Sequence, residues 1–375
     1  MKKIKPKMPD LFSPFLINTK LIKNRLAVAP MTTQQSMPDG TISKAESDWL
    51  ERLSEDGYGM VITCASSISD TATAFHNQLS IASDNMIAGL SELTTRMRNH
   101  GSVNILQLCH GGSRTIESLT GVKPCSASSY TLPSVTGFVP PLALSQEQIH
   151  SIVSDFADAC VRASHAGFDG IELHGANGYL FTQFFSRMTN LRDDHYGGSL
   201  QNRSRFAREV VKACRHKVPK DFIIGFRMSF ENMGMETGLD IDENIQIVNW
   251  LAEDGIDYIH TSHLNYAAMT NKYPDKTALR YLRDTITKSL PLVGVGGILN
   301  AADAEKAMEY GADIVAIGRA AIGNKNLPAY FKEGKVLPYH TPYSTDLLKE
   351  SGISENFIDY LKNAPPLASL KIMKP

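Results

Sequence analysis

Directly after a short apolar run, the chain reads His174-Gly-Ala-Asn177-Gly-Tyr179. A ring N–H and an amide NH₂ can both donate to one carbonyl oxygen and so polarise a conjugated substrate, and a phenol beside them can deliver a proton. The same residues also suit plain structure: His174 as a core histidine, Asn177 as a turn residue ahead of Gly178, and Tyr179 as an aromatic at a helix start. Spacing alone leaves both readings open.

A second group lies further along, where Val293–Ile298 reads VGVGGI and Ala316–Ala320 reads AIGRA. Gly296, Gly297 and Gly318 let backbone N–H groups approach an anion, and Arg319 adds a planar, permanently charged donor fork, which together suit a phosphate. The alternative is a simple turn and a surface arginine. Arg227 stands in the apolar run FIIGFRM (Phe222–Met228). Buried there, it must face a carboxylate, a set of carbonyls or an anionic ligand. Gln107 in ILQLC and Thr32 in APMTT are polar groups at the ends of apolar runs, and internal hydrogen bonds could account for either.

Such groups need rigid elements beneath them. Eight β-rich runs read as strands: Arg25–Met31, Gly59–Ala65, Val103–Cys109, Gly170–His174, Phe222–Met228, Tyr258–Thr261, Leu292–Val295 and Asp313–Ile317. Helical periodicity fills the gaps, most clearly over Ser145–Ala166, where Ser145 and Gln148 form a capping box and Gly167 stops the helix. Further helices are expected after Ser43, Asp84, Ser199, Asp240 and Asn300. Gly57, Gly255 and Gly311 each close a helix just ahead of a strand. Eight such units predict an α/β protein, a (β/α)₈ barrel, since no glycine fingerprint follows the first strand as a doubly wound sheet would require. A barrel takes about 250 residues. The excess falls mainly after strand C-terminal ends, the face on which barrel enzymes build their sites. The expected division is a barrel over residues 1–334 and a tail over 335–375 that packs on the barrel or at a subunit interface, with helix-like stretches at Asp346–Glu350 and Glu355–Asn363 stopped by Pro365-Pro366.

The rest of the composition removes other classes. With 38 basic and 39 acidic residues in 375, the net charge is -1, and no like-charge run offers an arm for nucleic acid or a membrane surface. Five scattered cysteines show no metal-ligand spacing, so no metal site is expected and the thiols read as reduced. The basic N-terminal run lacks a following apolar core, and no apolar run is long enough to span a bilayer. The reading is a cytoplasmic protein whose partner is a small molecule.

Several runs resemble the Old Yellow Enzyme family of FMN-dependent ene-reductases: Leu11–Thr32, ILQLCHGG (Ile105–Gly112), FDGIELHGANGYLFTQFFS (Phe168–Ser186), NLRDDHYGGSLQNRSRF (Asn190–Phe206), GLDI (Gly238–Ile241) and the VGVGGI/AIGRA pair. The resemblance implies that Ala29, Pro30, Met31 and Thr32 line FMN, with Thr32 tuning its potential. It implies that Ala65 and Gln107 hold the pyrimidine side, that Arg227 faces the part that becomes anionic on reduction, and that Gly296, Gly297, Gly318 and Arg319 bind the phosphate. His174 and Asn177 would clamp a substrate carbonyl and Tyr179 would donate the proton, with NADH or NADPH as the hydride donor and an enone-type alkene as the substrate.

Two features depart from the family pattern. Gln34 and Thr32 stand where many bacterial members carry tyrosine and cysteine. No arginine follows Arg319, so a homo-oligomer remains open but not one sharing an arginine between sites. The five cysteines form no cluster of the kind larger relatives use for an iron–sulfur centre, so direct electron relay is not expected. Two competing readings are a flavin-free barrel aldolase or isomerase, which would want a lysine or paired carboxylates at the strand ends, and a flavin-binding sensor without turnover.

Overall fold

Each of the eight expected runs forms a strand: β1 (Leu26–Val28), β2 (Met60–Ser67), β3 (Val103–Cys109), β4 (Gly170–Gly175), β5 (Ile223–Met228), β6 (Tyr258–Thr261), β7 (Leu292–Val295) and β8 (Ile314–Ile317). They pair in parallel with their sequence neighbours, and β8 pairs with β1 to close the barrel. The structure is a computed structural model describing residues 10–132, 138–232, 237–335, 337 and 343–363. The basic N-terminal run, up to residue 9, and Pro365-Pro366 lie outside these. Among the described residues no helix is long and apolar enough to cross a membrane, and all five cysteines are free.

Strand alternation sorts the side chains into two cores. Val28, Val61, Leu106, Ile171, Leu173, Ile224, Phe226 and Ile259 join the layer under the helices. Their neighbours Ala27, Met60, Ile62, Val103, Ile105, Ile223, Tyr258, Val293 and Ile314 fill the barrel interior. On the inward parity the chain turns polar toward the C-terminal ends, with Gln107, Glu172, His174, Arg227 and His260. The interior is therefore apolar below and polar at the mouth, so the chemistry collects at one end.

One irregularity in β2 alters this pattern. Ile62 pairs with Ile105 but Ala65 pairs with Gln107, so β2 spends one extra residue between them. A bulge of this kind reverses the parity of the residues beyond it. Cys64 consequently joins the helix-facing core while Ala65 meets Tyr179, Cys109 and Phe75 at the mouth.

The helices begin and end largely as expected. Ser145 and Gln148 form the capping box of the helix Gln146–His165, and Ser43, Ser199, Asp240 and Asn300 cap theirs. The second helix starts a residue later than expected, with Asn85 at the cap and no side-chain bond. Gly57, Gly255 and Gly311 hold φ of +98°, +112° and +116°. The structure adds an antiparallel hairpin, Phe15–Ile17 with Lys20–Ile22, that no sequence pattern marks. Ile17 and Ile22 are fully buried in the interior cluster and close the barrel's lower end. Its turn rests on Asn18, whose left-handed φ of +53° asparagine tolerates.

Candidate active site

The strand β4 delivers His174 at its mouth, and the following turn delivers Asn177 and Tyr179. Asn177 has φ of +59°, which turns the chain sharply enough for Tyr179 to come back onto His174. Their ring centroids are 4.9 Å apart. Both are buried, and Nδ1 of His174 has no hydrogen-bond partner. Burial, and after it the charges of Arg227 and Arg114, hold the imidazole well below its ordinary pKa, so it is neutral. Burial pushes the Tyr179 phenol up to about 12, so it keeps its proton. Ser262 donates to Oδ1 of Asn177 at 3.0 Å, which fixes which end of the amide donates. His174 and Tyr179 thus meet as a neutral imidazole and a protonated phenol, and Ser262 orients the Asn177 amide in the turn between them.

Beneath them sits a residue that no sequence motif marks. Glu172 is completely buried, with Oε1 accepting from Gln107 Nε2 at 2.7 Å and Oε2 from the Tyr258 hydroxyl at 2.9 Å. Nδ1 of His260 lies 2.9 Å from Oε2. Burial works against its charged form, but His260, Arg227 and Gln107 outweigh burial and hold the carboxyl below its ordinary range. Gly225 makes the arrangement possible, because a Cβ there would stand 2.0 Å from the Tyr258 ring. A carboxylate alone on the inward parity of an apolar strand is the available signal. Replacing Glu172 with Leu will destabilise the protein by about 3–5 kcal/mol, because three buried donors lose their acceptor. Glu172→Gln will cost less, and a denaturant midpoint unchanged in both variants would contradict the role given to this carboxylate.

Beside this cluster opens a cavity of about 310 Å³ lined by Ala29, Pro30, Met31, Arg227, Gly296, Gly297, Gly318 and Arg319, among others. It therefore gathers eight of the eleven expected cofactor residues. Gly296 and Gly297 hold φ of +120° and +64°, and a Cβ on Gly296 would stand 2.5 Å from the His263 carbonyl oxygen. Only glycine fits there, and it leaves bare backbone facing the cavity. His263 and Leu264, which belong to no motif, line the same space. Nδ1 of His263 is buried without a partner and burial pulls its pKa down to about 4. A glycine cradle with an arginine at one end, Arg227 at the other and a neutral polar atom between them fits a phosphorylated, electron-accepting ring such as FMN.

The other three expected cofactor residues lie outside that lining. Gln107 turns its amide to Glu172, Ala65 packs with Tyr179, and Thr32 lies near the Tyr360 phenol. Tyr360 comes from the C-terminal helix Glu355–Asn363, anchored by Phe357 edge-on to Trp49 and by Ser354 on Gln35. Arg114, also outside any expected set, lies over the Tyr179 ring with its Cζ 4.5 Å from the centroid.

An eight-stranded barrel with a glycine- and arginine-lined cavity at its last two strands and a polar mouth at its fourth is an architecture suited to a flavin-dependent oxidoreductase. Residues 10–337 match the NADH:flavin oxidoreductase / NADH oxidase family, and the chain belongs to it, the Old Yellow Enzyme family. It is an enzyme of FMN and NAD(P)H. The chain is 36% identical to the probable NADH-dependent flavin oxidoreductase YqiG of Bacillus subtilis, over 88% of this chain and 90% of that one. It is also 36% identical to the NADH:fumarate oxidoreductase of Klebsiella pneumoniae, over 87% of this chain but only 36% of that protein. Among solved structures, morphinone reductase superposes with a TM-score of 0.79 at 28% identity, over 91% of this chain and 93% of that one.

Proposed function

We propose that the enzyme reduces the C=C bond of alkenes conjugated to a carbonyl, at the expense of NADH or NADPH. The observation that supports this reading is the buried neutral His174 imidazole set against the protonated Tyr179 phenol, with Asn177 in the turn between them and Arg227, the strand partner of His174, lining the cavity suited to FMN. FMN, which Gly296, Gly297, Gly318, Arg319 and Arg227 would hold, would supply the two-electron chemistry between the nicotinamide and the alkene. His174 and Asn177 grip the carbonyl oxygen and hold it more strongly as negative charge builds there, which is the differential binding that accelerates a reaction. Tyr179 then gives its proton to the α-carbon and recovers one from solvent. Arg227 keeps a fixed positive charge in the cofactor cavity, and Thr32, directly after the lining residue Met31, would turn its hydroxyl toward the cofactor. Among the described residues the strand ends present no lysine or carboxylate pair of the kind an aldolase needs.

The test is anaerobic. NADH or NADPH should bleach the yellow holoenzyme, and cyclohexenone should restore the colour with one equivalent of saturated ketone. A protein that stays bleached in the presence of the enone would exclude this activity. The pH dependence is fixed by the same groups. His174 is already neutral well below its ordinary titration range and Tyr179 stays protonated until about 12. Colour recovery should therefore be nearly flat from about pH 6 to about pH 9. A sigmoid centred near the ordinary histidine value would show that a charged imidazole takes part.

A further inference from the structure

Arg114 sits in the single turn Gly112–Arg114 that follows β3. The turn is a built feature. Gln183 accepts from the Ser113 N–H at 3.1 Å and donates to its hydroxyl at 2.9 Å, and that hydroxyl lies 2.8 Å from the Tyr130 hydroxyl. The guanidinium is half-buried, gives one N–H to the Asn177 carbonyl at 2.6 Å and covers the Tyr179 ring. Its charge reaches His174, Tyr179, Tyr360, Tyr130 and Cys109. Among the described residues no carboxylate pairs with it. The surroundings of Tyr179 therefore hold a cation set among neutral rings, a thiol and a carbonyl.

A half-buried charge left in this state is unfavourable, and an arriving anion removes the penalty. The unused N–H groups of the guanidinium fork match a carboxylate in geometry and charge. A neutral carbonyl could accept one such bond but would leave the charge uncompensated. We propose that the substrate is an alkene bearing a carboxylate in addition to the carbonyl held by His174 and Asn177, an unsaturated oxo acid or the half-ester of an unsaturated diacid, and that Arg114 selects it. This rests on the ene-reductase reading. The alkene gains a hydride originating in NADH and one proton, NADH becomes NAD⁺, and the carboxylate emerges unchanged.

The experiment compares acetylacrylate with its methyl ester, which share one enone and differ in charge. Dissociation constants come from anaerobic titration of the oxidised holoenzyme by its flavin absorbance, and turnover from recolouring of the reduced holoenzyme. In the native enzyme the acid should bind about ten- to a hundredfold tighter than the ester, the worth of one charged hydrogen-bonded pair. Arg114→Gln should bring that ratio to about one by weakening the acid alone, and Arg114→Lys should restore part of it. Using the ratio within each variant removes any change in Tyr179 itself. Equal binding of acid and ester by the native enzyme overturns the proposal, as does an equal loss of both in Arg114→Gln. If neither compound recolours the reduced enzyme, the ene-reductase reading fails, while the titration still decides the charge preference.

Discussion

Tyr179→Phe will slow the recolouring of reduced enzyme by cyclohexenone by about 10²–10⁴-fold, the usual worth of a positioned proton donor, and will leave reduction by NADH or NADPH within about threefold of the native rate. The separation follows from where the phenol sits. It stands on the His174 ring and under Arg114, where the proposed substrate carbonyl would be held, and hydride delivery from a nicotinamide needs no proton at that point. The phenylalanine ring retains the packing against Ala65, Cys109 and Phe75, so the fold is kept and the loss is chemical. Rapid mixing of each half-reaction checks it, and an equal slowing of both would assign Tyr179 to pocket shape instead of proton transfer.

The second large effect concerns the cofactor. Gly296→Val will abolish retention of FMN through purification and weaken its binding by at least about a hundredfold, since the new side chain enters a cradle where a Cβ already lies 2.5 Å from the His263 carbonyl oxygen and at a φ of +120°. Arg319→Met separates phosphate recognition from general damage. It should weaken FMN and leave riboflavin, which has no phosphate, bound as before. Fluorescence quenching on titration into apoprotein measures both, and a Gly296→Val protein that purifies fully yellow would place the phosphate elsewhere.

Much of this architecture is legible in the amino-acid sequence. Eight β-rich runs, their caps and their closing glycines specify the barrel because each obeys local rules of period, capping and left-handed turns. The two halves of the glycine cradle and the His174-Asn177-Tyr179 spacing are legible for the same reason, as each is carried by one short run of sequence. The hidden features depend on contacts distant in sequence. The parity of Ala65 hangs on a bulge that no residue pattern betrays. Glu172 looks like a misplaced charge until Gln107, Tyr258 and His260 converge on it from other strands of the barrel. Tyr360 reaches Thr32 only because Phe357 and Ser354 dock its helix, with Ser354 lying 319 residues from its partner Gln35. The lower hairpin is invisible because three-residue strands are too short to show a period.

The central claim is that hydride from the nicotinamide ends on the alkene carbon β to a carbonyl held by His174 and Asn177. NADH carrying deuterium at both C4 positions, supplied anaerobically with cyclohexenone and the holoenzyme, tests it by mass spectrometry and NMR of the product. The account predicts saturated ketone with one deuterium on the β-carbon and none on the carbonyl carbon. Deuterium on the carbonyl carbon, as an allylic alcohol, or NADH left unoxidised with the enone intact, would contradict it.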